Sequence, residues 1–306
     1  MAYPVAAGVT THSGTYTPEI WSGKCLVKFY KSTVFGAIAN TDYEGELKSK
    51  GDTVQIRTIP DITINDYVID QNLSYERPTP GVVELLVDRG KYYAMSINDV
   101  EKLQSDLPYV DKWTTDAGQQ LAIAIDYDIL SNVYSSAAAA NQGITAGADT
   151  ESIDLGVTGA PESVDKTNIL DYIVNMGTVL DEQSVPDNAR WVVFPPIFCG
   201  MIKMSDLKDA SLAGDGTSIL RNGRIGMIDT FEIYKSRQIA TTVDGADTVH
   251  NIIAGHPSAI TFASQMTKTE TLKNPNDFGD LMRGLQIYGY EVIKAEALIW
   301  FYAKKA

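Results

Sequence analysis

The sequence predicts an α+β fold, in which one long helix and several short sheets share 306 residues. Three observations carry that reading. From Gly51 to Asp99 the chain alternates like strands and shows no helical period. Between Pro108 and Ser136 two apolar stripes recur at helical spacing. Beyond them, apolar runs of strand length return repeatedly as far as "IYGYEVIKAEALIW".

Composition bounds what such a fold can do. A hydrophobic content of 44% with 21% charged residues is ordinary for a globular chain of one large or two average domains. The net charge of −14 argues against a protein that coats nucleic acid with a basic surface. It fits a solvated shell or a surface that does not adhere to DNA, or equally an acidity that simply keeps the protein in solution. Cys25 and Cys199 are far apart and form no disulfide or CxxC pattern, which suits a reducing compartment. "MAYPVAAGVTTHSG" has neither the basic start nor the apolar core of a signal peptide, and no apolar run approaches a membrane span. A cytoplasmic product is expected.

Taken in order, residues 1–16 are small and polar and read as an arm. "TPEIWSGKCLVKFYKSTVF" predicts a helix, with Thr17 as N-cap, Pro18 at its first position and Ile20, Val27, Tyr30 and Val34 on one stripe. In "GDTVQIRTIPDITINDY", Val54 and Ile56 alternate with Gln55 and Arg57, and Ile62 and Ile64 resume the pattern after Pro60. "VVELLVD" and "KYYAMSI" extend the ribbon, which has no broad apolar face. A ribbon of this kind is marginal alone in water, so cover is expected from elsewhere.

The long helix carries Val110, Trp113, Ala117, Leu121 and Ala124 on one stripe and Ile123, Tyr127, Leu130 and Tyr134 on another. It would span on the order of 40 Å and pack on two sides. The Gly- and acid-rich stretch 141–162 marks a crossing between subdomains. Ile169, Ile173, Met176 and Leu180 predict a second helix, ending near Pro186. "WVVF" reads as a buried central strand, "PPIFCGMIKM" as a short helix and "ASLAGDGTSILRNGRIG" as a loop. "DTFEIYKS", "VHNIIAG" and "SAITFAS" supply three strands, and "LQIYGYEVIKAEALIWFYAKK" a last strand-like segment.

Motifs for chemistry fail on mechanism. "PEIWSGKC" imitates a phosphate loop, but Pro18 and Cys25 stand where glycine and a hydroxyl residue are needed. "GDGTSI" lacks the third glycine of a dinucleotide fingerprint and a preceding strand. His250 and His256 could share a strand face, yet no third ligand accompanies them, and His12 lies in the arm. Asp126 and Asp128 point to different helix faces and read as solvated or interface charges. No catalytic, cofactor or metal site is predicted.

"TPEIWSGKCLVKFYKSTVF", "NTDYEGELKSKGDTVQIRTIPDITINDY", "VELLVDRGKYYAMSINDVEK", "GRIGMIDTFEIYKSRQI" and the "IYGYEVIKAEALIW" ending occur in an order that resembles tailed-phage major capsid proteins with the HK97 fold. The resemblance runs from about Pro18 to Ala306. It implies an N-terminal arm and first helix over 1–46 and an extended E-loop over 47–98. It further implies a P-domain over 99–145, built on the long helix and completed by 264–306, and an A-domain over 146–263. In that family the E-loop lies across the neighbouring subunit, which would cover the ribbon. The implied function is structural: pentamers and hexamers closing into an icosahedral shell around double-stranded DNA, without specific binding to it. A separate scaffolding protein, a portal and a place for a decoration protein are implied partners, the virion is the implied location, and no Lys–Asn crosslink is expected. The charged ribbon positions Arg57, Asp61, Asp66, Arg77, Asp88 and Arg89 are the candidate subunit contacts, although such charges also keep an exposed ribbon soluble. The competing readings are a cellular nanocompartment shell of the same fold and, from another class, a hydrolase.

Overall fold

The computed structural model describes residues 30–42, 53–60, 62–104, 109–205 and 226–306. The predicted arm, Cys25, His12, Asp61 and most of the loop that begins at Ala210 lie outside them. So does the first helix up to residue 29, and residues 30–34 are not helical. Among the described residues, the first helix is α1 (Phe35–Ile38). The backbone N–H groups of Val34 and Phe35, where this turn begins, donate to the carboxylate of Asp126.

Alternation at 54–56 and 83–87 builds a two-stranded antiparallel ribbon. β1 (Thr53–Arg57) and β2 (Val82–Leu86) pair from Thr53 opposite Leu86 to Arg57 opposite Val82. Ile56, Leu85 and Val87 turn inward onto Ala263 and make a small core of their own, flanked by Val54, Ile287 and Ile293. The expected continuation through Ile62 and Ile64 does not form a strand. Pro60, Pro78 and Pro80 have no N–H to give a ladder, and pairing stops just beyond the bond from Thr58 N–H to Gly81 C=O.

β3 (Arg89–Asn98) leaves the ribbon. It pairs with β11 (Gly279–Val292), which pairs in turn with β10 (Ile260–Lys273), giving an antiparallel sheet of order β10-β11-β3. Gly289 of β11 lets the ribbon root come close, because a Cβ there would stand 2.1 Å from the Leu86 carbonyl oxygen. α2 (Asp99–Gln104) follows β3, and then the long helix α3 (Tyr109–Asn132), which tightens into a 3-10 turn at Val133–Ser136. Its burial is uneven. Ile125, Ile129, Leu130 and Val133 enter the main core, while Trp113 and Tyr127 stay 49% and 55% exposed. The two expected stripes are therefore only partly covered within one chain.

A seven-stranded mixed sheet forms the second half. β4 (Glu162–Val164), β5 (Arg190–Phe194), β6 (Met227–Ile228), β7 (Phe231–Lys235), β9 (Asp247–Gly255) and β12 (Leu298–Lys305) run in the order β4-β12-β9-β5-β7-β6, and β8 (Thr241–Asp244) pairs with β9. β5 is buried at every position, as its unbroken apolar run requires. α4 (Ile169–Glu182) buries Ile169, Ile173, Met176 and Leu180, the predicted stripe, and α5 (Pro196–Met204) buries Phe198, Cys199 and Ile202. The final segment is not one strand. A 3-10 turn at Ala295–Ala297 separates β11 from β12 and sends them to different sheets.

Arg190 is the largest buried cation in this region. Its fully buried guanidinium donates to Asp181 at 2.7 Å, Asp187 at 2.9 Å, and the carbonyls of Val185 at 2.6 Å and Pro186 at 3.0 Å. These bonds tie the end of α4 to the start of β5.

Candidate assembly interface

Uncovered apolar residues collect where the chain has least to pack them on. Between β1 and β2 the two limbs of the ribbon are joined by Thr63 N–H donating to Glu76 Oε1 at 2.8 Å. The tip turns at Val68–Gln71, with Gln71 N–H donating to the Val68 carbonyl and Asp70 in the left-handed region at φ 67°. Along these limbs Ile59, Ile64, Ile69 and Tyr75 are 94, 89, 84 and 88% exposed. A side chain of this size left in water forgoes about 1.5–3 kcal/mol of burial. Four large apolar side chains this exposed on one loop are more than the scattered single exposures usual on a protein surface.

The root of the ribbon is held by polar chemistry. Arg89, the first residue of β3, donates from Nη1 to Oδ2 of Asp128 on α3 at 2.9 Å. The Tyr288 hydroxyl donates to the same oxygen at 2.9 Å, and the Tyr290 hydroxyl to the Asp128 carbonyl at 3.1 Å. The Arg89 guanidinium also lies 4.3 Å from the centre of the Tyr290 ring. Burial, reinforced by the Asp128 carboxylate, pushes the Tyr288 phenol far above its usual range.

Asp126, two residues earlier, faces another way and is fully buried. Its Oδ1 accepts from Val34 N–H at 2.9 Å and Phe35 N–H at 2.8 Å, and Oδ2 accepts from Gln238 Nε2. Burial raises its pKa, and these hydrogen bonds only partly oppose the rise. The expectation that Asp126 and Asp128 are solvated or interface charges is thus corrected: both fasten α3 to other parts of its own chain. A clue existed in "AIAIDYDIL", because two carboxylates set among that many apolar neighbours require buried partners.

Of the six candidate contact residues, Asp61 lies outside the described residues. Arg57, Asp66, Arg77 and Asp88 are exposed, and they are spread along the ribbon rather than gathered at one point. Arg89 is drawn inward to Asp128, with Asp88 3.8 Å from it. Sequence reasoning missed Asp128, Tyr288 and Tyr290 as the partners of Arg89.

The residues weighed for chemistry take structural places. His250 lies in β9 beneath the edge of the Phe198 ring, and His256 just beyond β9 bonds Ser258. Burial lowers the pKa of both. Burial also pushes the Cys199 thiol up to about 11, far from the thiolate a nucleophile needs. Among the described residues no group of three or more His, Cys, Asp or Glu is placed to hold a metal. A shallow groove of about 490 Å³ on the three-stranded sheet is lined by Tyr92, Leu285 and the Lys268–Glu270–Arg283 ion pairs. Its charges are paired, Lys268 with Glu270 along β10 and Arg283 with Glu270 across to β11, as on an ordinary sheet surface.

The family model described as phage capsid protein matches residues 83–301, most of the chain. This chain belongs to the phage capsid protein family. Solved structures match it over most of its length. The capsid protein matches a structure from Mycobacterium phage Che8 with a TM-score of 0.78 at 26% identity, over 94% of this chain and 97% of that one. It matches the capsid of Cyanophage P-SCSP1u at 0.72 and 15% identity, over 95% and 94%. The mature capsid of bacteriophage PhiM1 follows at 0.68 and 15%, over 95% and 92%. No curated protein matches the sequence. The fold is the HK97-like capsid fold, and the capsid protein is a structural major capsid protein of a tailed phage. A nanocompartment shell is not favoured, since these structural neighbours come from phages.

Proposed function

We propose that the capsid protein assembles through pentamers and hexamers into an icosahedral shell enclosing double-stranded DNA, and that the loop between β1 and β2 makes the contact between subunits. The observation that carries this is the row of exposed Ile59, Ile64, Ile69 and Tyr75 on limbs with no core of their own. Identical subunits that offer unlike surfaces make heterologous contacts, which close into rings. The loop is the E-loop in this reading. The P-domain is 99–145 completed by 264–306 and the A-domain is 146–263, except that β12 (Leu298–Lys305) pairs into the seven-stranded sheet of the A-domain and β3 (Arg89–Asn98) joins the E-loop to the three-stranded sheet. Residues 1–46 are assigned to the arm and first helix. Arg57, Asp61, Asp66, Arg77 and Asp88 set the polar rim of the contact, while Arg89 acts at its root.

The work is mechanical and not catalytic, and it needs no cofactor. A scaffolding protein guides assembly in the host cytoplasm, a portal occupies one vertex, and a decoration protein has an outer surface on which to bind. The net charge of −14 supports DNA that is confined rather than adsorbed. Replacing residues 61–80 by a short Gly/Ser linker tests the reading. A soluble, helical subunit that builds no shells is expected, and shells of normal size from this variant would sink it.

A further inference from the structure

The polar node at the root of the ribbon does more than stabilise one chain. We infer that Arg89 is a positioning residue that fixes the angle between the ribbon and the long helix α3, and through that angle the curvature of the shell. The inference rests on the proposed role of the ribbon in subunit contact.

A two-stranded ribbon has little stiffness of its own. Here the apolar root is small: Ile56, Leu85, Val87 and Ala263. Such a hinge resists separation but not tilt. Arg89 follows immediately, between the ribbon and the three-stranded sheet, and stands opposite Tyr288 in the β3–β11 register. Three independent restraints meet on it or its partner. Asp128 takes Nη1 at 2.9 Å, the Tyr288 hydroxyl holds the same carboxylate oxygen, and the Tyr290 ring supports the guanidinium plane at 4.3 Å. On the helix side Asn132 Nδ2 donates to Asp128 Oδ1 at 3.3 Å as well as to the Asp128 carbonyl at 2.7 Å, so the carboxylate is itself braced. A planar fork held edge-on by a carboxylate and face-on by a ring has its direction fixed, which an ammonium group does not provide. Closure of a ring of heterologous contacts depends on the rotation between neighbours. If the contact lies on the ribbon, the tilt of the ribbon sets that rotation.

The test uses the full chain. Spin labels on cysteines placed at the exposed positions Thr79 and Gln119, with Cys25 and Cys199 replaced by serine, report the ribbon-to-helix distance by double electron–electron resonance. Shells of the unlabelled variants are sized by electron microscopy. The wild-type arrangement should give one narrow distance. Arg89→Ala and Asp128→Asn should each broaden it and replace uniform shells by mixed diameters. The double variant should be no worse than either alone, because the two groups act as one clamp. Arg89→Lys keeps the charge and should recover the distance only in part. A narrow distance with uniform shells from Arg89→Ala overturns the inference. If that variant does not fold, Arg89→Lys decides: an unchanged distribution overturns the inference and a broadened one supports it. Shells from the linker variant of residues 61–80 would sink the ribbon reading itself, whereas failure of the clamp alone leaves that variant without shells.

Discussion

The carboxylate of Asp126 is answered by N–H groups of Val34, Phe35 and Gln238 inside the core. Removing it by Asp126→Ala strands these donors and should cost about 1–3 kcal/mol. Asp126→Asn keeps an acceptor for the two backbone groups, and the amide of Gln238 can turn its partnerless Oε1 toward the new NH2. Melting of the two variants should therefore differ clearly, with alanine far the weaker. The sign with pH follows from the raised pKa. The folded state keeps its proton where the unfolded chain has already released it. The stability tied to that proton is full below the ordinary Asp value and is lost as pH rises through the folded pKa. The Asn variant lacks this loss, so its stability relative to wild type should grow with pH across that window in denaturant titrations. A flat difference would mean that the carboxylate is solvated. Arg190→Ala should cost roughly 3 kcal/mol or more, because it opens a cavity and orphans the Val185 and Pro186 carbonyls, and soluble yield reports it. At this scale the sequence showed which residues were odd but not what answered them. Asp126 meets Val34 and Gln238 across ninety-two and 112 positions of chain, and no local pattern carries that information.

Elements were far more legible than their partners. The spacing at Ile169, Ile173, Met176 and Leu180 shows α4, and "WVVF" shows β5, because each pattern is written within one short continuous stretch of chain. That β3 joins β11 and not β2 could not be read, since both neighbours suit its alternation equally well. The candidate interface was legible as a ribbon without a core, whereas its clamp was not, because Arg89, Asp128 and Tyr288 come from three separated elements. Proline at Ala124 removes an internal hydrogen bond of α3 and clashes with the preceding turn, costing on the order of 3 kcal/mol or more. That is a large share of the 5–15 kcal/mol typical of a domain. Ser74→Pro, on the unpaired limb of the ribbon, should leave the subunit melt unchanged. Equal melts for the two would remove α3 as a packed spine. Gly289→Ala drives a methyl group into the Leu86 carbonyl and should cost about 1–3 kcal/mol, read as increased hydrogen exchange in β2 and β11.

For the molecule as a whole, the charge balance predicts weak contact with DNA. With a net −14 there is little counterion release to drive binding, so duplex DNA should bind the isolated subunit no tighter than about 1 μM at physiological salt. Nanomolar binding that fades steeply with salt would contradict a purely confining shell. The topology of the seven-stranded sheet has a further consequence, in time rather than space. β4 meets β12 with Glu162 opposite Ala303, and β9 is held between β12 and β5, so apart from the local β6–β7 and β8–β9 hairpins the sheet is closed by pairings between remote parts of the chain. By contrast β10 and β11 form a hairpin of consecutive strands. Hairpins close in about 1–10 μs, while sheets of remote strands take milliseconds to seconds. Pulse-labelled refolding should therefore protect 260–292 well before 298–305. During that interval the sticky limbs of the ribbon are already on display while their own subunit is unfinished. A cell making capsid protein at high rate thus holds two populations, ripe and unripe. An unripe chain therefore carries its apolar limbs in water before its own core is complete, and is the form most exposed to wrong contacts.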